Sequence, residues 1–334
     1  MASQAWLKEL IKKEDKETLE SLRSDKLQAG TGSSSKVQSV RNAFEQLAIS
    51  TALDTTPAIR MRLSSKHLTS ASEYFRAAFA YDYMETKVES GYTYTITAQG
   101  WDQEALRLIM NIIHGQTQNV PRKVSLEMLA KIAAIVDYYK CRNAIHFFSQ
   151  TWVKNLAGPF PSSYGFDLLL RLFVSCVFSE KRVFQQLTKT VILESRGPIH
   201  DLGLPLLSHI ADSLDKIRQD LVSEIISSLD ALLSSFVQDE GECSFECSCI
   251  MLGALTRGMY ASNILQQRPE PPFYGFSVVA LSEMLRTLRS PRWFTSQRDP
   301  RPHTCSLSAK IEPILDDIKN RVEGLKWNDF FRLQ

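Results

Sequence analysis

Apolar residues fall at helical spacing along most of this 334-residue chain and alternate with polar ones in two short stretches. In residues 36 to 50, Val37, Val40, Phe44 and Leu47 stand three or four apart, the stripe of an amphipathic helix. The turn-forming run Ala52 to Pro57 ends it. Ile59, Met61 and Leu63 then alternate with Arg60 and Arg62, the period-two pattern of a half-buried strand. Ser64 or Ser65 starts a short helix holding His67 and Leu68. Ser70, with Glu73 three residues on, makes a capping box for the next helix, which buries Tyr74, Phe75, Ala78 and Phe79. Tyr92 to Thr97, rich in aromatic and β-branched residues, is the second expected strand. Trp101 to His114 is again helical, with Leu106, Ile109, Met110 and Ile113 on its inner face.

Beyond Pro121 the helical spacing is continuous. Ser125 to Tyr139 and Cys141 to Leu156 are expected to form a hairpin of helices. The Pro- and Gly-rich run Gly158 to Gly165 is the clearest break in the chain. Helices are then expected over Phe166 to Phe178, Lys181 to Leu193, Leu207 to Phe236, Phe245 to Ala261, Val278 to Arg289 and Ser306 to Val322. Between the last two, Arg289 to Cys305 shows no period. At the other end, residues 1 to 27 carry Leu7, Leu10 and Ile11 on one side, and the Gly- and Ser-rich run Gly30 to Lys36 reads as a linker. The pattern therefore divides the chain into a flexible tail (1–35), a mixed domain with a small sheet flanked by helices (36–157) and an all-α C-terminal domain (166–334). The expected class is α+β, mostly helical.

Composition narrows the function more than the fold. With 44% hydrophobic and 23% charged residues and a net charge of +2, the chain has the balance of a globular protein without a strong pull towards nucleic acid or acidic lipid. No apolar run reaches the roughly 18 residues that span a bilayer. The N-terminal residues mix acids with lysines and lack an apolar core, so an intracellular location, cytoplasmic or nuclear, is expected. Six cysteines in a chain of this length are not a disulfide scaffold. Phosphate-binding glycine loops, a GxSxG elbow, HExxH and paired carboxylates in an apolar frame are all missing from the sequence, so a non-enzyme is expected.

The order of motifs carries a resemblance. Leu63-Ser-Ser-Lys-His-Leu68, Ser70-Ala-Ser-Glu-Tyr-Phe75 and Glu85-Thr86 resemble the helix start that follows a strand in BTB/POZ domains. Trp101 to His114 and Val120 to Leu129 look like the fungal branch of these proteins, in which a long helical C-terminal region follows. That region is matched here by Cys243 and Cys247, Leu252-Gly-Ala-Leu255 and His303-Thr-Cys305. The resemblance implies a BTB/POZ-like module with a helical C-terminal extension. It also implies an interaction protein that acts as a substrate adaptor or oligomerising scaffold. Its partners would be proteins: itself, another BTB protein or a cullin-type scaffold, with neither membrane nor nucleic acid. A BTB domain opens with a β-hairpin ahead of the strand at Ile59; Ala52 to Pro57 stands there instead, so that hairpin is expected to be missing or altered.

One constellation offers chemistry. Cys243, Cys247, His303 and Cys305 supply the four soft or borderline ligands of a Cys3His zinc site. At i,i+4, Cys243 and Cys247 face one way if both are helical, and a Pro-rich loop poor in apolar anchors gains from a metal clip. Against this, the first pair is not CxxC, Cys249 competes with Cys247, and reduced structural thiols account for the same residues. Zinc is thus the one cofactor the sequence suggests. Cys141 and Cys176 sit singly in helical patterns and read as buried thiols. His67 and His114 lie near helix ends, where an imidazole commonly packs or caps. Arg289, Arg292, Arg298 and Arg301, interleaved with Trp293 and Phe294, suit stacking on single-stranded nucleic acid. They support an alternative reading as a zinc-supported transcription-associated protein, although bonding of such arginines to backbone carbonyls is the commoner use.

Overall fold

A computed structural model describes residues 59–80, 95–156, 158–238, 243–296 and 299–331. The tail 1–35, the stretch 36–50, Glu85-Thr86 and Tyr92 to Tyr94 lie outside them. The chain forms two compact units: residues 1–122 with 134–147, and residues 123–133 with 148–334. The Gly158 to Gly165 break therefore lies inside the second unit.

The first unit holds α1 (Ser65–Ala71), α2 (Glu73–Ala80) and α3 (Gln103–Ile113), then a 3-10 turn at Thr117–Asn119. It also takes the second part of α4 (Leu126–Tyr139) and the first part of α5 (Arg142–Lys154). Asp102 caps α3, its carboxylate accepting from the Glu104 and Ala105 amides at 3.0 and 3.1 Å. The break between α1 and α2 falls at Ser72, two residues after the serine expected to cap. Ser72 Oγ accepts from the Phe75 amide at 3.2 Å and donates to the Tyr139 carbonyl, so one buried hydroxyl caps α2 and ties it to the end of α4. Phe75 stacks on Tyr139 with centroids 4.8 Å apart, and Tyr74 meets the same ring edge-on.

The small sheet expected in this unit is not formed among the described residues, and the α+β, BTB-like architecture is corrected accordingly to a mostly helical one. Ile59 to Leu63 has no regular structure, and Thr95 is a lone bridge residue followed by irregular backbone. Alternation builds a strand only when one face is covered and a neighbour takes the ladder. Ile59 is 59% exposed, and Met61 and Leu63 are exposed as well, so the alternating apolar set covers no core.

The second unit is a stack of helices around α8 (Pro205–Val237), whose 33 residues extend roughly 50 Å. Proline at its first turn suits the start, since that amide needs no partner. Against α8 pack α6 (Phe166–Phe178), α7 (Lys181–Glu194), α9 (Phe245–Ala261), α10 (Val278–Arg286) and α11 (Leu307–Arg321). In α6 every residue from Leu172 to Phe178 is buried, which explains an apolar run too broad for one face. The only strands among the described residues are here: β1 (Phe294–Ser296) and β2 (Asp299–Pro302), an antiparallel hairpin within the segment that showed no period. A strap from Val322 to the short α12 (Trp327–Phe330) closes over α6 and α7. Trp327 Nε1 donates to the Cys176 carbonyl at 3.3 Å, and the Leu325 amide donates to Thr188 Oγ1 at 2.9 Å. Gly324, at φ +82, lets this strap approach: a Cβ there would stand 2.1 Å from the Gln185 carbonyl oxygen.

Candidate metal centre

Two segments of the second unit converge on one point. The first is the entry to α9, where Ser244 is the N-cap and its Oγ accepts from the Cys247 amide at 3.2 Å. Cys243 thus sits just outside the helix and Cys247 in its first turn, not both on one helical face as the i,i+4 spacing suggested. The second is the end of the β1–β2 hairpin. The His303 amide donates to the Trp293 carbonyl at 2.8 Å, and the two rings stack with centroids 4.3 Å apart. Ser306 then caps α11, which holds Cys305 beside His303.

One ligand atom from each of Cys243, Cys247, His303 and Cys305 lies within 4.8 Å of the other three. Cys243 and Cys305 have their sulfurs 3.9 Å apart, close to the edge of about 3.8 Å that bonds of about 2.3 Å to a tetrahedral zinc would give. Cys243 Sγ and His303 Nε2 are nearer, at 2.9 Å, a hydrogen-bonded pair. The Cys305 amide donates to His303 Nδ1 at 3.1 Å, so a neutral ring carries its proton on Nε2 and points it at the Cys243 sulfur. Ligation through Nε2 would require that proton on Nδ1 instead, with the Cys305 amide turned away from it. The cluster can hold a metal ion, and its donor set of three sulfurs and one imidazole suits zinc.

Burial grades across the cluster. Cys247 is fully buried, Cys305 and His303 are half-buried, and Cys243 is exposed. Burial first, then the neighbouring Cys243 and Cys305 sulfurs, pushes the Cys247 thiol up to about 12, so in the metal-free cluster it keeps its proton. A divalent cation reverses this by stabilising the thiolate. Cys249, the rival from the sequence, is exposed and does not belong to the cluster. Its i+2 offset from Cys247 turns it to another side of α9.

The remaining candidates separate. His114 is a fixed structural residue, with Nδ1 facing the Met110 carbonyl at 2.8 Å and Nε2 accepting from the Ser64 amide at 2.9 Å. His67 is exposed and stands against the His114 ring, centroids 5.2 Å apart. Cys141 and Cys176 are buried. Of the loop cations, Arg289 and Arg292 are exposed; Arg298 lies outside the described residues. Sequence reasoning missed Arg218, fully buried on α8. Its Nε donates to Asp215 at 2.8 Å and one terminal nitrogen to the Pro272 carbonyl at 2.6 Å. An arginine at a core position of an amphipathic helix was the available signal.

No protein-family model matches this chain, and neither a curated protein nor a solved structure matches it.

Proposed function

We propose that this chain is a non-enzymatic protein-interaction protein whose C-terminal unit is closed by a structural zinc ion on Cys243, Cys247, His303 and Cys305. The observation that carries the proposal is the convergence of those four ligand atoms from two distant segments. The chemistry follows from the donor set. Four protein ligands fill a tetrahedral zinc and leave no position for water or substrate, which is the mark of a structural and not a catalytic ion. Such an ion fixes the hairpin on the start of α9 and turns the two segments into a rigid surface for a partner. Because the sheet of the BTB expectation does not form among the described residues, the proposal stands on the C-terminal cluster and not on that resemblance.

The test is the zinc content of protein purified without a His-tag, paired with the Cys243→Ser and Cys305→Ser variants. One zinc per chain in the wild type, lost in both variants, supports the clip; less than about 0.3 per chain overturns it. The interaction role is read separately, by affinity purification with wild-type and variant chains as baits. A partner set that both variants retain in full would remove the zinc-held surface from the proposal.

A further inference from the structure

The first unit has a cleft of about 350 Å3 between α1, α2, the end of α3 and the start of α5, a size within the range of small-ligand pockets. Its floor is apolar, with Ile112 and Ile113 at its base and two small residues, Ala71 and Ala144, leaving it open. Its walls are polar. Arg76 donates through Nε to the Thr69 carbonyl at 3.3 Å, which leaves both terminal amino groups of its guanidinium without a hydrogen-bond partner among the described residues. Lys140 is held by Asp137 at 2.9 Å through one of its three donors. The side chains of Ser70, Glu73 and Asn143, also in the walls, make no hydrogen bond among the described residues.

We propose that this cleft binds a short peptide segment through an acidic side chain. The assignment gives the interaction protein proposed above a partner class, and rests on that reading. Each wall group has a matching peptide group. Arg76 and Lys140 face a carboxylate, with the guanidinium able to take it in a forked pair. Asn143, which both donates and accepts, suits a peptide unit, and Glu73 accepts a backbone N–H. The isoleucine floor takes a neighbouring apolar side chain. Glu73 also decides between anions: a phosphate with nearly two negative charges meets its carboxylate at close quarters, whereas a carboxylate brings a single charge to Arg76, Lys140 being shared with Asp137.

The experiment is selection of phage-displayed random heptapeptides on the immobilised full-length chain, followed by fluorescence polarisation with the most enriched peptide. Asp or Glu enriched at one position is the expected result. The enriched peptide should bind Arg76→Glu at least about tenfold more weakly, and Arg76→Gln by a smaller factor. Ala144→Leu, which fills the cleft without changing charge, should weaken it comparably, and circular dichroism on each variant confirms that it is folded. No acidic enrichment, enrichment of basic sequences, or equal binding by wild type, Arg76→Glu and Ala144→Leu would each overturn the proposal. Zinc stoichiometry measured on the same sample keeps the outcomes apart, because peptide binding in zinc-free protein leaves the cleft standing and removes the clip.

Discussion

Two irregular segments of the second unit are tied to helices by opposite means. The run from Arg268 to Phe276 is tied by ordinary side chains. Phe273 is buried, the Gly275 amide donates to the Arg196 carbonyl at 2.7 Å, and Arg218 reaches from α8 to the Pro272 carbonyl at 2.6 Å. The hairpin segment from Trp293 to Cys305 is instead gathered on three thiols and an imidazole. A loop that buries an aromatic ring already recovers part of its ordering entropy. One that gathers on a cluster in which only Cys247 is buried needs a cross-link in place of a core.

The largest expected effect breaks the first tie. Arg218 is 0% exposed and its partner Asp215 nearly buried, while the arginine's Nη1 is buried without a hydrogen-bond partner among the described residues. Arg218→Ala leaves Asp215 Oδ1 and the Pro272 carbonyl unanswered, with Gln219 still donating to Asp215 Oδ2, and is expected to cost about 3–5 kcal/mol in urea-induced unfolding. Arg218→Lys should recover little, because an ammonium cannot serve both partners through a planar fork. A loss below about 1 kcal/mol for the alanine variant would show that Phe273 and the Gly275 amide hold the loop without Arg218.

A second break concerns the C-terminal strap, which uses neither a buried charge nor a metal but close backbone approach. Gly324→Ala places a methyl 2.1 Å from the Gln185 carbonyl oxygen at a φ of +82, and both the clash and the left-handed backbone oppose it. The expected cost is about 2–3 kcal/mol, read as a fall in thermal midpoint. An unchanged midpoint would mean that the strap is free to shift outward.

Metal removal sharpens the contrast between the two ties. On chelation, trypsin is expected to cut the hairpin segment faster, at Arg292, while helical circular dichroism changes little and Arg218 variants keep their full penalty. His303→Ala should cut at the same fast rate with or without chelator. Equal cleavage of wild type before and after chelation would show that the hairpin is held without metal.

How much of this was legible in the sequence divides along the same line. Helices α6 and α9 have the bounds that spacing assigned them, because each has a well-marked start: Gly165 after a Pro-rich break, and Ser244 with its capping hydroxyl. The strand at Ile59 was misread since a period of two over five residues costs a random sequence little, and nothing in it reports whether a face will be covered. The cap falls at Ser72 although Ser70 alone has a glutamate three residues on, because the distant Tyr139 carbonyl, which the Ser72 hydroxyl reaches, selects between the two serines. The four cluster residues were legible as ligand types, but the choice of Cys247 over Cys249 depended on the rotation of α9. The tie from Arg218 to Pro272 spans 54 residues and leaves no pattern in either segment.

The smallest expected effect compares a thiol inside a core with the thiols of the cluster. Cys141 is 1% exposed, and burial pushes its thiol from 9.0 up to about 12. The folded chain therefore keeps this proton in a range where the unfolded chain releases it. Below pH 9 the residue contributes no pH dependence; as pH rises from 9 towards 12, unfolding gains a proton release that folding forbids, and stability falls. At pH 10 the loss is about 1.4 kcal/mol, one pKa unit's worth. Since tyrosines and lysines titrate over the same range, the measurement is a difference: the decline in unfolding free energy from pH 8 to pH 10 for wild type minus that for Cys141→Ala. A steeper decline in the wild type by about that amount is the expected outcome. Parallel declines would place the Cys141 sulfur in contact with water, and the contrast between inert core thiols and the metal-responsive thiols of the cluster would then fail at its simplest case.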